Sequence, residues 1–402
     1  MVGVVDNTPI GDDYIDGMVF TKKLASTNLT VSYPQSASNY GAGYNFLENE
    51  SNFEGFNGTQ IAAHRKMLTW YADCTPFVFT EITETDSVHA DLRFAMSDVP
   101  TTAHAYEPWS PEGIRIGDAW FRNTGALFDS PSPGNYAWLT MLHETGHTLG
   151  LKHPHDSASG FPALPTDKDW VEWTVMSYRS FEGDNPATGY DNETFGFSAT
   201  PMERDIRALQ SLYGANTTIR TGATEWHINP TTGELKIDGV AVLTPGANRV
   251  LYALPWDGGG VNTLNLLDYT TNLILNLNAG MGSFLSSAQL AQLRASPLTM
   301  ADANLYIYSL NAADTDSLPN RIIPGSGTNT IAGNDITTLA LTGNRAQYSV
   351  TDNGGDSFTY TDTRGGTPNG ITTIDSGVVL VEYANQTVTP AASANRLRLT
   401  WA

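Results

Sequence analysis

His143, Glu144, His147, Gly150 and His153 stand at the spacing HExxHxxGxxH. Positions four apart on a helix share a face, so His143 and His147 can offer imidazole nitrogens to one metal ion. Glu144, one residue on, can reach a water bound to that ion. Gly150 can take the positive φ that ends a helix, which lets the chain turn back and bring His153 in as a third ligand. Three neutral nitrogens and a water make an open, catalytic zinc site, whereas four protein ligands would close it. A bare HExxH arises by chance in ordinary helices. The added glycine and third histidine, each at a fixed offset, argue against coincidence.

A second element follows in Thr174-Val175-Met176-Ser177-Tyr178. A methionine in an apolar stretch is ordinarily core packing. Downstream of the extended motif, Met176 reads as the tight turn that floors the three imidazoles in metzincin zinc proteases.

Tyr136–His155 (YAWLTMLHETGHTLGLKHPH), Val175–Ser180 (VMSYRS), Pro201–Asn216 and Trp256–Asn278 carry a closer likeness. With these segments the chain resembles the serralysins, the bacterial secreted metzincins, from about Tyr14 onward and most strongly between residues 90 and 280. An astacin would usually have Glu after the third histidine, where this chain has Pro154. The resemblance implies an α+β metzincin catalytic domain followed by an all-β C-terminal domain, either a β-sandwich or a reduced β-roll. It implies a secreted, extracellular zinc endopeptidase that acts on protein or peptide substrates as a monomer. It further implies a type I secretion system and a proteinaceous inhibitor as partners. Glu144 would be the general base, and Tyr178 a switchable ligand or transition-state donor. Ala103, His104, Ala105 and Tyr106 fall where the family's cleft-lining strand lies, to which an extended peptide can add through main-chain hydrogen bonds. Two other classes stay open: a non-catalytic, calcium-stabilised surface or adhesion protein with a vestigial zinc site, and a zinc hydrolase of a non-peptide bond.

At 402 residues, 40% hydrophobic and 16% charged, the chain has the composition of a folded protein with room for two cores. No run approaches the roughly eighteen apolar residues of a membrane span. A formal net charge of −21 argues against nucleic acid and is compatible with solubility, salt tolerance or calcium binding. Cys74 is the only cysteine, so an intramolecular disulfide is excluded and a small buried hydrophobe is expected. Bound calcium is the obvious alternative source of rigidity. Met1 to Asp16 lacks the basic and apolar regions of a Sec signal peptide. The tail Asn395 to Ala402 lacks the acidic-then-apolar ending usual in the family.

Residues 1–20 read as acidic and irregular, a pro-segment position; 21–215 as the zinc protease domain; and 216–402 as the β domain. Leu29–Tyr33, Phe77–Thr83, Ala90–Met96, Thr102–Tyr106 and Ile114–Phe121 read as strands, and Gln60–Asp73 as a helix. The zinc helix should start near Asn135. A later helix should be capped by Thr200, with Pro201 in its first turn, Glu203 completing a capping box and Gly214 ending it. Beyond Thr217 short strands and turns dominate, with a helical insert near Ser287–Ala295 and a hairpin turning at Asp352-Asn353-Gly354-Gly355.

The family's calcium roll is built from glycine- and aspartate-rich nonapeptides. Here one degenerate unit, Pro324–Ile331, carries Asn329 where the ligating Asp would stand. The resemblance places a first calcium site at Arg220, Gly222, Thr224, Asp257, Gly259 and Asn262, the last replacing an Asp. A second site is expected to be lost, because its Glu position falls on Pro319 or Asn320.

Overall fold

A computed structural model describes residues 2–41, 44, 46–109, 113–158, 160–308 and 317–391. It divides into two compact units, Met1–Asn216 with Gln292–Thr299, and Thr217–Ala291 with Met300–Ala402. The tail Asn395–Ala402 lies outside the described residues. Most regular structure is β, with few helices. Among the described residues no helix is long and apolar enough to cross a membrane.

The first unit holds helices α1 (Asp13–Asp16), α2 (Leu47–Glu50), α3 (Gly58–Cys74), α4 (Tyr136–Thr148) and α5 (Glu203–Tyr213). Its strands are β1 (Val4–Asp6), β2 (Lys22–Leu24), β3 (Asn28–Ser32), β4 (Glu54–Gly55), β5 (Val78–Glu81), β6 (Leu92–Ser97), β7 (Ala103–Ala105) and β8 (Asp118–Arg122). The main sheet runs β5-β3-β6-β8-β7, parallel until the last pair, where β7 joins β8 antiparallel as an edge. β6 is buried at every position, as a central parallel strand covered on both faces must be. Within it, Arg93 meets Asp118 in a buried two-point ion pair at 2.6 and 2.7 Å. α3 is capped by Asn57 and packs on α4, where Tyr71 donates to Leu142 O at 2.8 Å.

Three local expectations are corrected. The N-terminus is ordered rather than irregular: β1 pairs with β2, and Ile15, Asp16, Met18 and Val19 are buried. The Asp16 carboxylate is spent on the main chain, accepting from Ile10 N and Gly11 N. α5 begins at Glu203 with Met202 in the cap position, not at Thr200. Glu203 is engaged by Arg204, so Asp205 is the carboxylate that reaches back to Met202 N, at 2.8 Å. The expected Ser287–Ala295 helix is one 3-10 turn, Ser287–Gln289, followed by the strand Gln292–Arg294. Gln292 is drawn out of helical register by Glu193, which bonds both its N–H and its carbonyl.

In the second unit the chain alternates between two ladders. Thr224–Ile228, Asn262–Asn265, Arg321–Ile323, Thr337–Ala340 and Val378–Tyr383 pair parallel in one. Ile274–Asn276, Thr328–Ala332 and Ile371–Ile374 pair parallel in the other. This is coil-like stacking, not an antiparallel sandwich. The hairpin is present, Tyr348–Gly354 against Ser357–Asp362. Stacked turns bring carbonyls onto glycines, and a Cβ on Gly327 would overlap Thr271 O. Asn329 is fully buried beside them, its amide nitrogen donating to Gly325 O at 3.0 Å and Gly327 O at 3.3 Å. An amide thus satisfies turn carbonyls that a hard cation would otherwise gather.

Candidate metal centre

Asn135 caps α4 through Trp138 N, which sets the phase that carries His143 and His147 to one face. Gly150, at φ 103°, ends the helix, and Leu151 N closes the turn onto Gly146 O at 3.0 Å. His153 returns beside the other two. Its Nε2 lies 3.2 Å from His143 Nε2 and 3.0 Å from His147 Nε2. Each Nδ1 faces a group that can only accept: Val175 O at 2.8 Å, Leu151 O at 2.8 Å and Asp156 Oδ2 at 3.2 Å. Each Nδ1 must therefore carry the hydrogen, and three Nε2 lone pairs point at one another. Burial holds all three imidazoles below the usual histidine range, so they stay neutral. Three converging lone pairs without a proton between them repel. Tetrahedral zinc with bonds of about 2.0–2.1 Å sets nitrogens about 3.3 Å apart, so the donor set fits that ion.

Glu144 is buried beside this cluster, and its Oε2 has no hydrogen-bond partner among the described residues. Burial, and then the charge of Glu107, pushes its carboxyl well above the ordinary range. Tyr178 stacks its ring 5.5 Å from His143 and tilts 4.5 Å from His153. Burial, and then Glu144, raises its phenol, so the hydroxyl remains a donor. A cavity of about 270 Å³ opens beside Glu144, lined by Thr102, Ala103, Tyr136, Leu139, Tyr178 and Tyr190 among others. Thr102 O and Tyr106 bond to β8, and by antiparallel alternation the main-chain groups of Ala103 and Ala105 face the open edge. His104 is not free; it and Tyr106 both bond the Glu48 carboxylate.

Apart from Met176, the supporting residues carry no motif signal. Met176 sits against Gly146 of α4, where a Cβ would come within 2.6 Å of its sulfur. Asp205 holds the turn by accepting from Thr174 Oγ1 at 2.6 Å and Val175 N at 2.9 Å, and the carbonyl of the same Val175 orients His143. Lys152 is fully buried, its ammonium donating to Gly17 O at 2.7 Å and Asp156 O at 2.5 Å. With Lys152 N on Met18 O, it fastens the N-terminal segment to the loop bearing His153. Lysine inside an apolar-looking motif gave no hint of this from spacing. His155, unmentioned by the motif, stacks on His153 at 5.3 Å and 8°.

The expected calcium residues of the second unit do converge. Asp257 is fully buried; its Oδ1 accepts from Gly259 N at 2.9 Å, and its Oδ2 has no hydrogen-bond partner among the described residues. Burial raises its carboxyl, with Arg220 Nε 3.8 Å from Oδ2. Arg220 takes a positive φ of 45°, and Gly222 O abuts Gly260. Thr224 N bonds Val261 O, and Asn262 N donates to Asn320 Oδ1 at 2.8 Å, while the Asn320 amide nitrogen donates to Gly260 O at 2.7 Å. Asn320 thus links the two loops through hydrogen bonds to Asn262 and Gly260.

Three histidines that could hold one metal ion, with a glutamate beside them and a methionine turn packed on their helix, match the metzincin pattern. The sequence comparisons agree. Serralysin A of Dickeya chrysanthemi is 33% identical over 261 residues, 63% of this chain and 52% of the relative. The serralysin of Photorhabdus luminescens is 33% identical over 255 residues, 58% and 50% of the two chains. Metallopeptidase AprA of Pseudomonas marginalis is 31% identical over 237 residues, 57% and 48%. Over these stretches the chain is related to the serralysins, and it spans about half the length of the curated relatives it matches. No family model matches the chain.

Lys152→Met should leave the carbonyls of Gly17, His153 and Asp156 without their ammonium donor and loosen the third ligand. Stability should fall by about 2–4 kcal/mol, and zinc affinity about tenfold or more. Chelator competition on the purified variant measures the latter; unchanged affinity would show that the strut does not govern the ligand.

Proposed function

We propose that the chain is a secreted zinc endopeptidase of serralysin type that hydrolyses peptide bonds in extended protein segments. One observation carries the reading: the three convergent Nε2 atoms stand beside a buried, unpartnered Glu144 carboxylate that opens on a cavity next to a free strand edge. His143, His147 and His153 would hold zinc, which when bound supplies Lewis acidity toward a water and a carbonyl oxygen.

The chain's own groups do the rest. The edge of β7 accepts the substrate as an added strand through the main-chain groups of Ala103 and Ala105, which recognises extended backbone with little regard to side chains. Glu144 takes the proton of the attacking water and returns it to the leaving nitrogen. The Tyr178 hydroxyl, kept protonated, donates to the oxyanion as it forms. Met176 supports the imidazoles from below and meets no substrate. A relic surface protein would have no use for an unpaired buried carboxylate, which carries a desolvation cost.

Calcium is proposed for the Arg220–Thr224 and Asp257–Asn262 loops, where the buried Asp257 Oδ2 has no hydrogen bond and fits an oxygen-ligated ion. Arg220 competes for the same oxygen, Asn329 stands in place of a ligating Asp, and the second site's Glu position falls on Pro319 or Asn320, so few ions are expected.

Glu144→Ala should retain zinc by elemental analysis and melt near the wild type while losing about 10²–10⁴-fold in casein or peptide hydrolysis. Activity within a few-fold of wild type would remove Glu144 from the mechanism. Tyr178→Phe should lower kcat about 10- to 100-fold with little change in KM; the opposite split would make it a binding residue. Millimolar calcium should raise Tm by about 2–5 °C, and Asp257→Ala should abolish that increment with zinc still bound. A melting curve indifferent to calcium would make these loops plain turns.

A further inference from the structure

Glu107 lies two residues beyond the end of β7, with its side chain 20% exposed. Its Oε1 is 3.9 Å from His147 Nδ1, too far for a hydrogen bond, and that nitrogen already donates to Leu151 O. Other carboxylates near the centre are committed: Glu48 to Tyr106 and His104, Asp156 to His153, and Asp169 to Ser177 and Arg179. No lysine or arginine among the described residues stands within ion-pair distance of Glu107. Its distance of 3.9 Å from the ring of His147, one of the three convergent imidazoles, places it close to the cleft centre. A partly shielded carboxylate without a cationic side chain beside it gains from a cation that joins it.

Two independent orderings fix which side of the centre it occupies. Along the edge strand, Thr102 and Ala103 line the cavity, and Glu107 comes four residues after Ala103, about 13 Å on by strand rise. Along α4, Tyr136, Leu139 and Thr140 line the cavity before His143, whereas Glu107 neighbours His147 one turn later. The cavity and Glu107 therefore flank the metal centre on opposite sides. An extended chain lying on β7 with its cleaved bond at the centre would put one side chain in the cavity. A residue two or three positions away, across the bond, would reach Glu107.

We propose that Glu107 forms a subsite for a lysine or arginine side chain of the substrate, on the opposite side of the scissile bond from the cavity. This rests on the endopeptidase reading and adds a preference to it. Main-chain recognition at β7 is indifferent to sequence, so a single carboxylate can dominate selectivity on its side. A half-buried ion pair of this kind corresponds to about a five- to tenfold preference over a neutral isostere.

The test uses quenched fluorescent peptides that hold one apolar residue for the cavity and vary the second and third positions across the bond among Lys, Arg, norleucine and Glu. Wild-type zinc enzyme should show five- to tenfold higher kcat/KM for Lys or Arg at one of these positions. Glu107→Gln should bring the ratio to near one, and Glu107→Lys should turn it toward Glu. The Lys and norleucine peptides are also titrated by fluorescence polarisation against Glu144→Ala, with and without Glu107→Gln, so that discrimination is read without turnover. A flat wild-type profile, or a preference that survives Glu107→Gln, overturns the proposal. So does an equal loss on basic and neutral peptides accompanied by weakened zinc binding, which would make Glu107 a support for His147. If the wild type cleaves no peptide yet the titrations discriminate by charge, the endopeptidase reading fails and the subsite stands.

Discussion

The mutual aim of three imidazole lone pairs constrains the rest of the first unit. Nε2 atoms 3.0 and 3.2 Å apart repel unless a cation lies between them, so the fold must hold each ring against its neighbours. It does so through the opposite nitrogen. Val175 O, Leu151 O and Asp156 Oδ2 fix the tautomer and the tilt of the three rings. Each acceptor belongs to a different local device: the methionine turn, the helix C-terminus and the returning loop. The site is therefore only as rigid as those devices.

Their supports come from remote parts of the chain. Asp205, at the start of α5, holds the Val175 peptide and caps its own helix with the same carboxylate. Tyr213, at the end of α5, donates to Leu149 O beside the helix-ending Gly150. Lys152 ties the His153 loop to Gly17 and Met18. Burying an ammonium is costly, and carbonyl acceptors on both segments are what make it tolerable. The N-terminal stretch is consequently part of the scaffold around the third ligand.

The second unit solves a different problem. Parallel coils stack their turns so closely that glycine carbonyls crowd together, a geometry that invites cations. Here Asn329 and Asn320 meet those carbonyls with amide N–H groups, which supply donors without a net charge. Asp257 keeps a carboxylate in the same kind of setting and is left with an unmatched oxygen. One residue type at each turn thus decides between self-sufficiency and dependence on an ion.

Much was legible from residues alone. The convergence of the three histidines, the placing of Glu144 beside them, the Asn135 cap, the Gly150 turn and the Gly214 stop follow from fixed local spacings, because helix periodicity and positive φ are properties of a few consecutive residues. The hairpin near Gly354 and the edge position of Ala103 to Tyr106 were likewise readable, the latter through family likeness. The cap of α5 was misread, because Glu203 and Asp205 are both plausible locally and the choice fell to Arg204 and Val175. The Ser287–Ala295 stretch was misread as helix because Glu193, almost a hundred positions earlier, holds Gln292 extended. Lys152, Glu107 and Asp205 carried no signal at all. Their roles depend on partners far away in sequence, and such distances are set when α4, α5 and the N-terminal segment pack together. Short-range spacing determined which atoms could bind a metal; tertiary packing decided what holds them still and which carboxylate stands beside them.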